Sequence, residues 1–129
     1  MTYKTMAQVI SDALESGGLT GPTAAGVGQA LRQQFAAVEA SMGRKQYAAA
    51  LGQLTAFVAL VKAQCCAPTA GKAITTPTAR TLQLDAMLVY HSALCLGSNQ
   101  LSAQQGAQDY SYYLGIVSSV GGKVLRPCP

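Results

Sequence analysis

Apolar residues recur at intervals of three and four along most of the chain, which is the spacing of one helical face. Glycine and proline punctuate this pattern. Gly17 and Gly43 each follow an apolar stretch, and Pro22 and Pro77 each suit the first turn of a helix. No stretch shows the strict alternation that is typical of a strand. The sequence therefore predicts an all-α fold with five helices, at residues 6–15, 22–42, 45–64, 77–97 and 102–120.

Four of the predicted helices are close to twenty residues long, or ~30 Å, and the segments between them are short. This geometry favours an antiparallel bundle of four to five helices. A chain of 129 residues has the length of one domain, so we expect residues 1–129 to share one core. The apolar stripes place eight residues at its centre: Phe35, Leu54, Phe57, Val58, Val61, Leu82, Ala86 and Val89.

The chain carries unusually few charges for its apolar content. Half of the residues are hydrophobic, whereas 11% are charged, against roughly 25% in an ordinary soluble domain. The net charge of +4 is spread along the sequence without a basic stripe, so we expect no nucleic-acid partner. The longest apolar run, residues 56–61, stops at Lys62, which is far short of the ~18 residues of a membrane span. We therefore expect no transmembrane segment, and no signal peptide is visible at the start.

Residues 18–97 contain particular residue types in a fixed order, and this pattern is more specific than helical periodicity alone. The positions are Leu31, Phe35, Val38, Tyr47, Ala50, Leu54, Phe57, Val58, Val61, Ala63, Gln64, Gly71, Lys72, Ile74, Ala79, Leu82, Ala86 and Val89. On these residues the segment resembles the FIMAH-type helical domain. That domain occurs in secreted and surface proteins of bacteria, often appended to extracellular hydrolases.

The resemblance implies a compact accessory module without assigned catalytic residues, and it names no ligand. It also implies a location outside the cell or on its surface. The chain departs from the family pattern in two places. Residues 65–68 lengthen a link that is usually shorter, and residues 98–129 add a further helix and a tail. The first predicted helix and everything after Gly97 remain outside the resemblance.

The chain has four cysteines, Cys65, Cys66, Cys95 and Cys128, which in an extracellular protein suggest up to two disulfides. If the helices alternate in direction, Cys128 returns to the end of the third helix, so we expect it to bond Cys65 or Cys66. A bond between the neighbours Cys65 and Cys66 would be strained. Cys95 lies at the other end of the fourth helix, ~25 Å from Cys65. A buried thiol and a disulfide explain it equally well.

Candidate sites for metals, cofactors and catalysis are weak. His91 and Cys95 share a helical face, and Cys65 with Cys66 would complete a zinc site, but adjacent cysteines are poor zinc ligands and lie at the opposite end. No pair of the five carboxylates forms an acid–base motif. We therefore expect no metal site, no cofactor and no enzymatic activity.

Two function hypotheses remain, and both involve proteins as partners. The first is a non-catalytic interaction or structural module of a secreted or surface bacterial protein, as the resemblance implies. The second is a subunit of an ordered extracellular filament or virion-like assembly, which the neutral surface favours and in which the partner is a second copy of the chain. A carrier of a hydrophobic ligand ranks third. The interface candidates are Tyr112, Tyr113 and Arg126, because tyrosine and arginine are enriched at interfaces.

Overall fold

The computed structural model describes residues 6–67, 69 and 71–120. Helix makes up 77% of the structure, so the predicted all-α class is confirmed. Each helix begins and ends within two residues of its predicted bounds, because the glycines and prolines of the sequence stand where the helices stop and start. The helices are α1 (Met6–Ser16), α2 (Ala24–Gly43), α3 (Tyr47–Gln64), α4 (Thr76–Leu96) and α5 (Ala103–Ser119).

Two short strands interrupt the helical pattern, which the sequence did not predict. Strand β1 (Cys65–Ala67) pairs in parallel with β2 (Ile74–Thr75), and Leu19 joins Ile74 through an isolated antiparallel bridge. Ile74 is fully buried, so its backbone polar groups need partners other than water. Backbone pairing with neighbouring segments meets that requirement, and it ties the α1–α2 connection to the α3–α4 connection.

Buried apolar residues of all five helices form one hydrophobic cluster. Helix α1 packs on α2, α2 on α3, α3 on α4, and α4 on α5. Seven of the eight residues predicted at the centre of the core are buried, and Val89 is half-buried at its margin. Near the middle, the rings of Phe35 and Phe57 meet edge to face with their centroids 5.5 Å apart. This packing joins α2 and α3 and provides the support on which α4 lies.

Gln100 fixes the α4–α5 turn against the α2–α3 turn. Its side-chain Nε2 donates a hydrogen bond to the Lys45 carbonyl at 2.7 Å, and its Oε1 accepts one from the Tyr47 N–H at 3.1 Å. Gly97 lies so close to Tyr47 that a Cβ at this position would collide with the tyrosine side chain. These contacts hold the beginning of α5 in place relative to α3 and α4.

Within the described ranges, none of the helices is long and apolar enough to cross a membrane.

Candidate functional site

The aromatic residues of α5 lie against the C-terminal half of α4. The Tyr113 ring is parallel to that of Tyr90, with centroids 6.4 Å apart and an interplanar angle of 5°. Tyr112 also reaches Tyr90, at 5.7 Å, while His91 and Tyr110 pack against Tyr113 at 5.5 Å and 5.9 Å. We call these five residues the tyrosine cluster. Since ring pairs at such distances attract one another beyond their buried area, the cluster docks α5 onto α4.

The structure corrects one of the predicted interface residues. Tyr113 is one of the predicted interface residues, but only 1% of it is exposed. The buried face of α5 consists of Tyr113 and of Ile116 and Val117, which lie three and four residues after it. Tyr112 is half-buried and keeps part of its ring at the surface. Arg126 lies outside the described residues.

The carboxylate of Asp109 accepts a hydrogen bond from the tyrosine cluster. The Tyr90 hydroxyl donates to Oδ1 of Asp109 at 3.2 Å, and Nε2 of Gln105 donates to the other oxygen, Oδ2, at 3.0 Å. Burial raises the pKa of Tyr90 above its ordinary value, and the negative charge of Asp109 raises that pKa further. Burial also raises the pKa of Tyr112. Tyr90 is therefore a neutral hydrogen-bond donor that fixes the orientation of α5.

The raised pKa of Tyr90 makes stability depend on alkaline pH. Above about pH 10 the tyrosines of the unfolded chain lose their protons while Tyr90 in the folded chain keeps its own, so the unfolded state is favoured. We expect the stability from this residue to be complete below that pH and to be lost as pH rises toward the folded pKa. The loss is at most about 1.4 kcal/mol per pH unit for one proton. Thermal melts at stepwise increasing pH measure it.

The variant Tyr90→Phe provides the comparison for the alkaline melts. It removes the hydrogen bond to Asp109 and should be less stable than the parent by about 1 kcal/mol at neutral pH. Because it has no hydroxyl to ionise at this position, its melting temperature should approach that of the parent protein above pH 10. A difference that stays constant across the pH range would show that Tyr90 does not carry the effect.

Cys65 and Cys66 form a disulfide with each other. The prediction that Cys128 bonds one of them is therefore wrong for this structure, and Cys128 itself lies outside the described residues. Positions of helix ends do not bear on a pair of adjacent cysteines, which strain makes unfavourable in most settings. Here both residues belong to β1, whose link to β2 holds the end of α3 beside the beginning of α4.

Cys95 is also disulfide-bonded, so its interpretation as a buried thiol is wrong. Its sulfur lies 3.8 Å from Nε2 of His91, one helical turn earlier on α4. The alternative zinc site would need the sulfurs of Cys65 and Cys66, which are already bonded to each other. Among the described residues, no group of three or more metal-binding side chains comes together.

The cysteine count predicts the second disulfide. With Cys65 and Cys66 paired, Cys128 is the only cysteine in the chain that remains for Cys95. Val120 lies beside Arg80, because both line one groove at the beginning of α4. From there the chain is long enough to reach Cys95, since eight residue steps from Val120 to Cys128 span up to ~28 Å and the fifteen helical rises from Arg80 to Cys95 span ~22 Å.

Peptide mapping without reductant should therefore recover Cys95 joined to Cys128, and Cys65 joined to Cys66 within one peptide. A Cys128→Ser variant should contain one free thiol, at Cys95, and should leave the other pair intact. Recovery of Cys128 joined to Cys65 or Cys66 would contradict both the count and the structure.

A groove runs beside the Cys65–Cys66 disulfide, where the ends of α3 and α5 meet the beginning of α4. Its volume is about 370 Å³. Basic, amide, hydroxyl, disulfide and aliphatic groups line it, and none of its lining residues is acidic. We call it the disulfide groove and define it by Lys62, Cys65, Cys66, Arg80, Gln83 and Ser119. Sequence reasoning did not find it, because its residues come from three helices and strand β1 and carry no local motif.

Helix α4 exposes two large apolar side chains at the surface. Leu88 is 49% exposed and Leu96 is 59% exposed, whereas the other large apolar residues that the structure describes are buried or half-buried. Cys95 lies next to Leu96, and Leu88 lies two helical turns before Cys95. This apolar strip was only partly visible in the sequence, where the leucines of α4 surrounded much of the helix and did not show which of them face solvent.

Comparison of the chain with models of protein families, with curated proteins and with solved structures finds no match.

Proposed function

We propose that this chain is a non-catalytic interaction module of a secreted or surface bacterial protein, built as an antiparallel bundle of four to five helices. The observation that carries the proposal is the oxidised state of the described cysteines. Disulfides persist outside the cytoplasm and are rare within it. The resemblance of residues 18–97 to FIMAH-type domains supports the same class of function.

The packing of the helices also supports a module that acts by binding. Successive helices lie against one another around one buried cluster, and Gln100 links the connections at one end. At the other end, backbone hydrogen bonds join Thr20 to Ala73 and Thr75 to Gly18. A framework fixed at both ends presents its surface residues in constant positions, which lowers the entropic cost of binding a partner.

A second candidate function is supported by the exposed leucines of α4. Leu88 and Leu96 are the kind of apolar residues that contacts between subunits bury, and the sparse charge of the chain offers little repulsion between copies. In this alternative the chain is a subunit of an ordered extracellular assembly. The two candidates differ in one measurable property, because an isolated module stays monomeric and an assembly subunit associates with itself.

Native mass spectrometry over a wide concentration series, performed without reductant, distinguishes the two functions. The proposed module should have the mass of one chain throughout. Masses that grow with concentration would overturn it in favour of the assembly, and a Leu88→Ser, Leu96→Ser double variant should then return the protein to a monomer. Ser92→Ala is the matched control, because Ser92 is exposed on the same helix between the two leucines.

A further inference from the structure

We propose that the disulfide groove binds a small oxyanion, namely a phosphate, sulfate or carboxylate group. This ligand goes beyond the proposed protein partner. The groove combines a largely buried glutamine whose amide opens onto it, two cationic side chains and the beginning of a helix. Each of these features interacts favourably with a compact anion that has several acceptor oxygens.

Gln83 gives the most specific indication of a ligand. Only 6% of this residue is exposed, and it lines the groove. Its side chain forms no hydrogen bond with a described residue, and its amide atoms stay open to the groove rather than fully buried. An amide that opens onto a groove bonds to water or to a ligand, and an anionic acceptor makes the stronger hydrogen bond. The Gln83 amide is not sealed from the groove, so a bound molecule can supply the missing partner. An oxyanion would accept a hydrogen bond from its NH₂ group.

The charges around the groove determine whether it favours an anion or a cation. Lys62 and Arg80 line the groove, are exposed, and form no ion pair with any described carboxylate. Three helix ends meet here, each with a partial charge of about half an elementary charge: the beginning of α4 is positive, and the ends of α3 and α5 are negative. The two full positive charges exceed these partial charges, so the groove favours an anion. No side chain caps the beginning of α4.

A second, larger cavity on the other side of α4 shows the opposite character. It has a volume of about 590 Å³, and Asp12 and Glu15 of α1 line it together with Thr78 and Thr81. An anion would be repelled by these carboxylates. The contrast restricts the proposed site to the disulfide groove, where Cys65 and Cys66 provide an uncharged wall between Lys62 and the beginning of α4.

The test uses the full oxidised chain and titrates inorganic phosphate, sulfate and acetate separately at constant ionic strength. Two-dimensional ¹H–¹⁵N NMR follows the side-chain amide of Gln83 and the backbone amides near Arg80. We expect saturable shifts at these positions with a dissociation constant in the millimolar range, and chloride at the same ionic strength should cause none. The anion that binds most tightly shows which class of oxyanion the groove prefers, because phosphate and sulfate are tetrahedral and acetate is planar.

Two variants decide whether the predicted residues form the site. Gln83→Leu and Arg80→Gln should each weaken binding by about tenfold, since each removes a hydrogen bond to a charged ligand. Gln33→Leu and Arg44→Gln are the matched controls on exposed positions of the α2 region and should leave the affinity unchanged. Arg80 is exposed, so its substitution keeps the test valid even if Gln83→Leu lowers stability. Shifts that never saturate, or equal affinities in all four variants, would overturn the site.

Discussion

Phe57→Ala should lower the free energy of unfolding by about 3–5 kcal/mol, which is one of the two largest effects we expect from a single substitution. Phe57 is fully buried on α3, and its ring meets that of Phe35 on α2 edge to face. Truncation removes both the buried area and this ring contact, and it leaves a cavity that rigid neighbouring helices fill only in part. A domain of this size is stable by only about 5–15 kcal/mol, so the loss would be a large share of the total.

Urea unfolding followed by circular dichroism measures this change. Phe57→Leu keeps most of the volume and should cost less than about 1.5 kcal/mol. Leu88→Ala is the surface control, because it truncates an apolar residue that is already 49% exposed and should change stability by about 0.5 kcal/mol at most. If Phe57→Ala and Leu88→Ala had equal midpoints, the α2–α3 core described here would be wrong.

The sequence predicted the helices of this fold because their boundaries depend on local chemistry. Pro77 stands in the first turn of α4 and Gly43 ends α2, and neither effect requires knowledge of distant residues. The centre of the core followed from the same periodicity, since apolar positions three and four apart must share a face. Val89 was the exception because its side of α4 lies at the margin of the core, which periodicity alone does not show.

The features that the sequence did not reveal all depend on contacts between distant segments. The short β1–β2 pair exists because the buried Ile74 needs a backbone partner, and that partner comes from the end of α3. The disulfide groove depends on Lys62, Arg80 and Ser119, which meet only after three helices have packed. Cysteine pairing was wrong for a related reason, because distances between helix ends gave no information on the adjacent Cys65 and Cys66.

The second large expected effect concerns the attachment of α5. Tyr113→Ala should lower the free energy of unfolding by about 3–5 kcal/mol, because Tyr113 is buried between Tyr90, His91 and Tyr110. Among the described elements, α4 is the main partner of α5, so other contacts compensate little for the loss. Thermal melting and near-ultraviolet circular dichroism, which reports on packed tyrosines, measure the change.

Tyr112→Ala is the informative counterpart, because Tyr112 is half-buried and touches Tyr90 from the edge of the cluster. We expect a cost of about 1–2 kcal/mol, well below that of Tyr113→Ala. Of these two interface candidates, Tyr112 is the one whose ring can reach a partner in this conformation. Any loss of association in native mass spectrometry should therefore follow Tyr112→Ala among molecules that remain folded. Lost association with an unchanged melt in Tyr113→Ala would show instead that Tyr113 faces a partner and that α5 lies on α4 in another orientation.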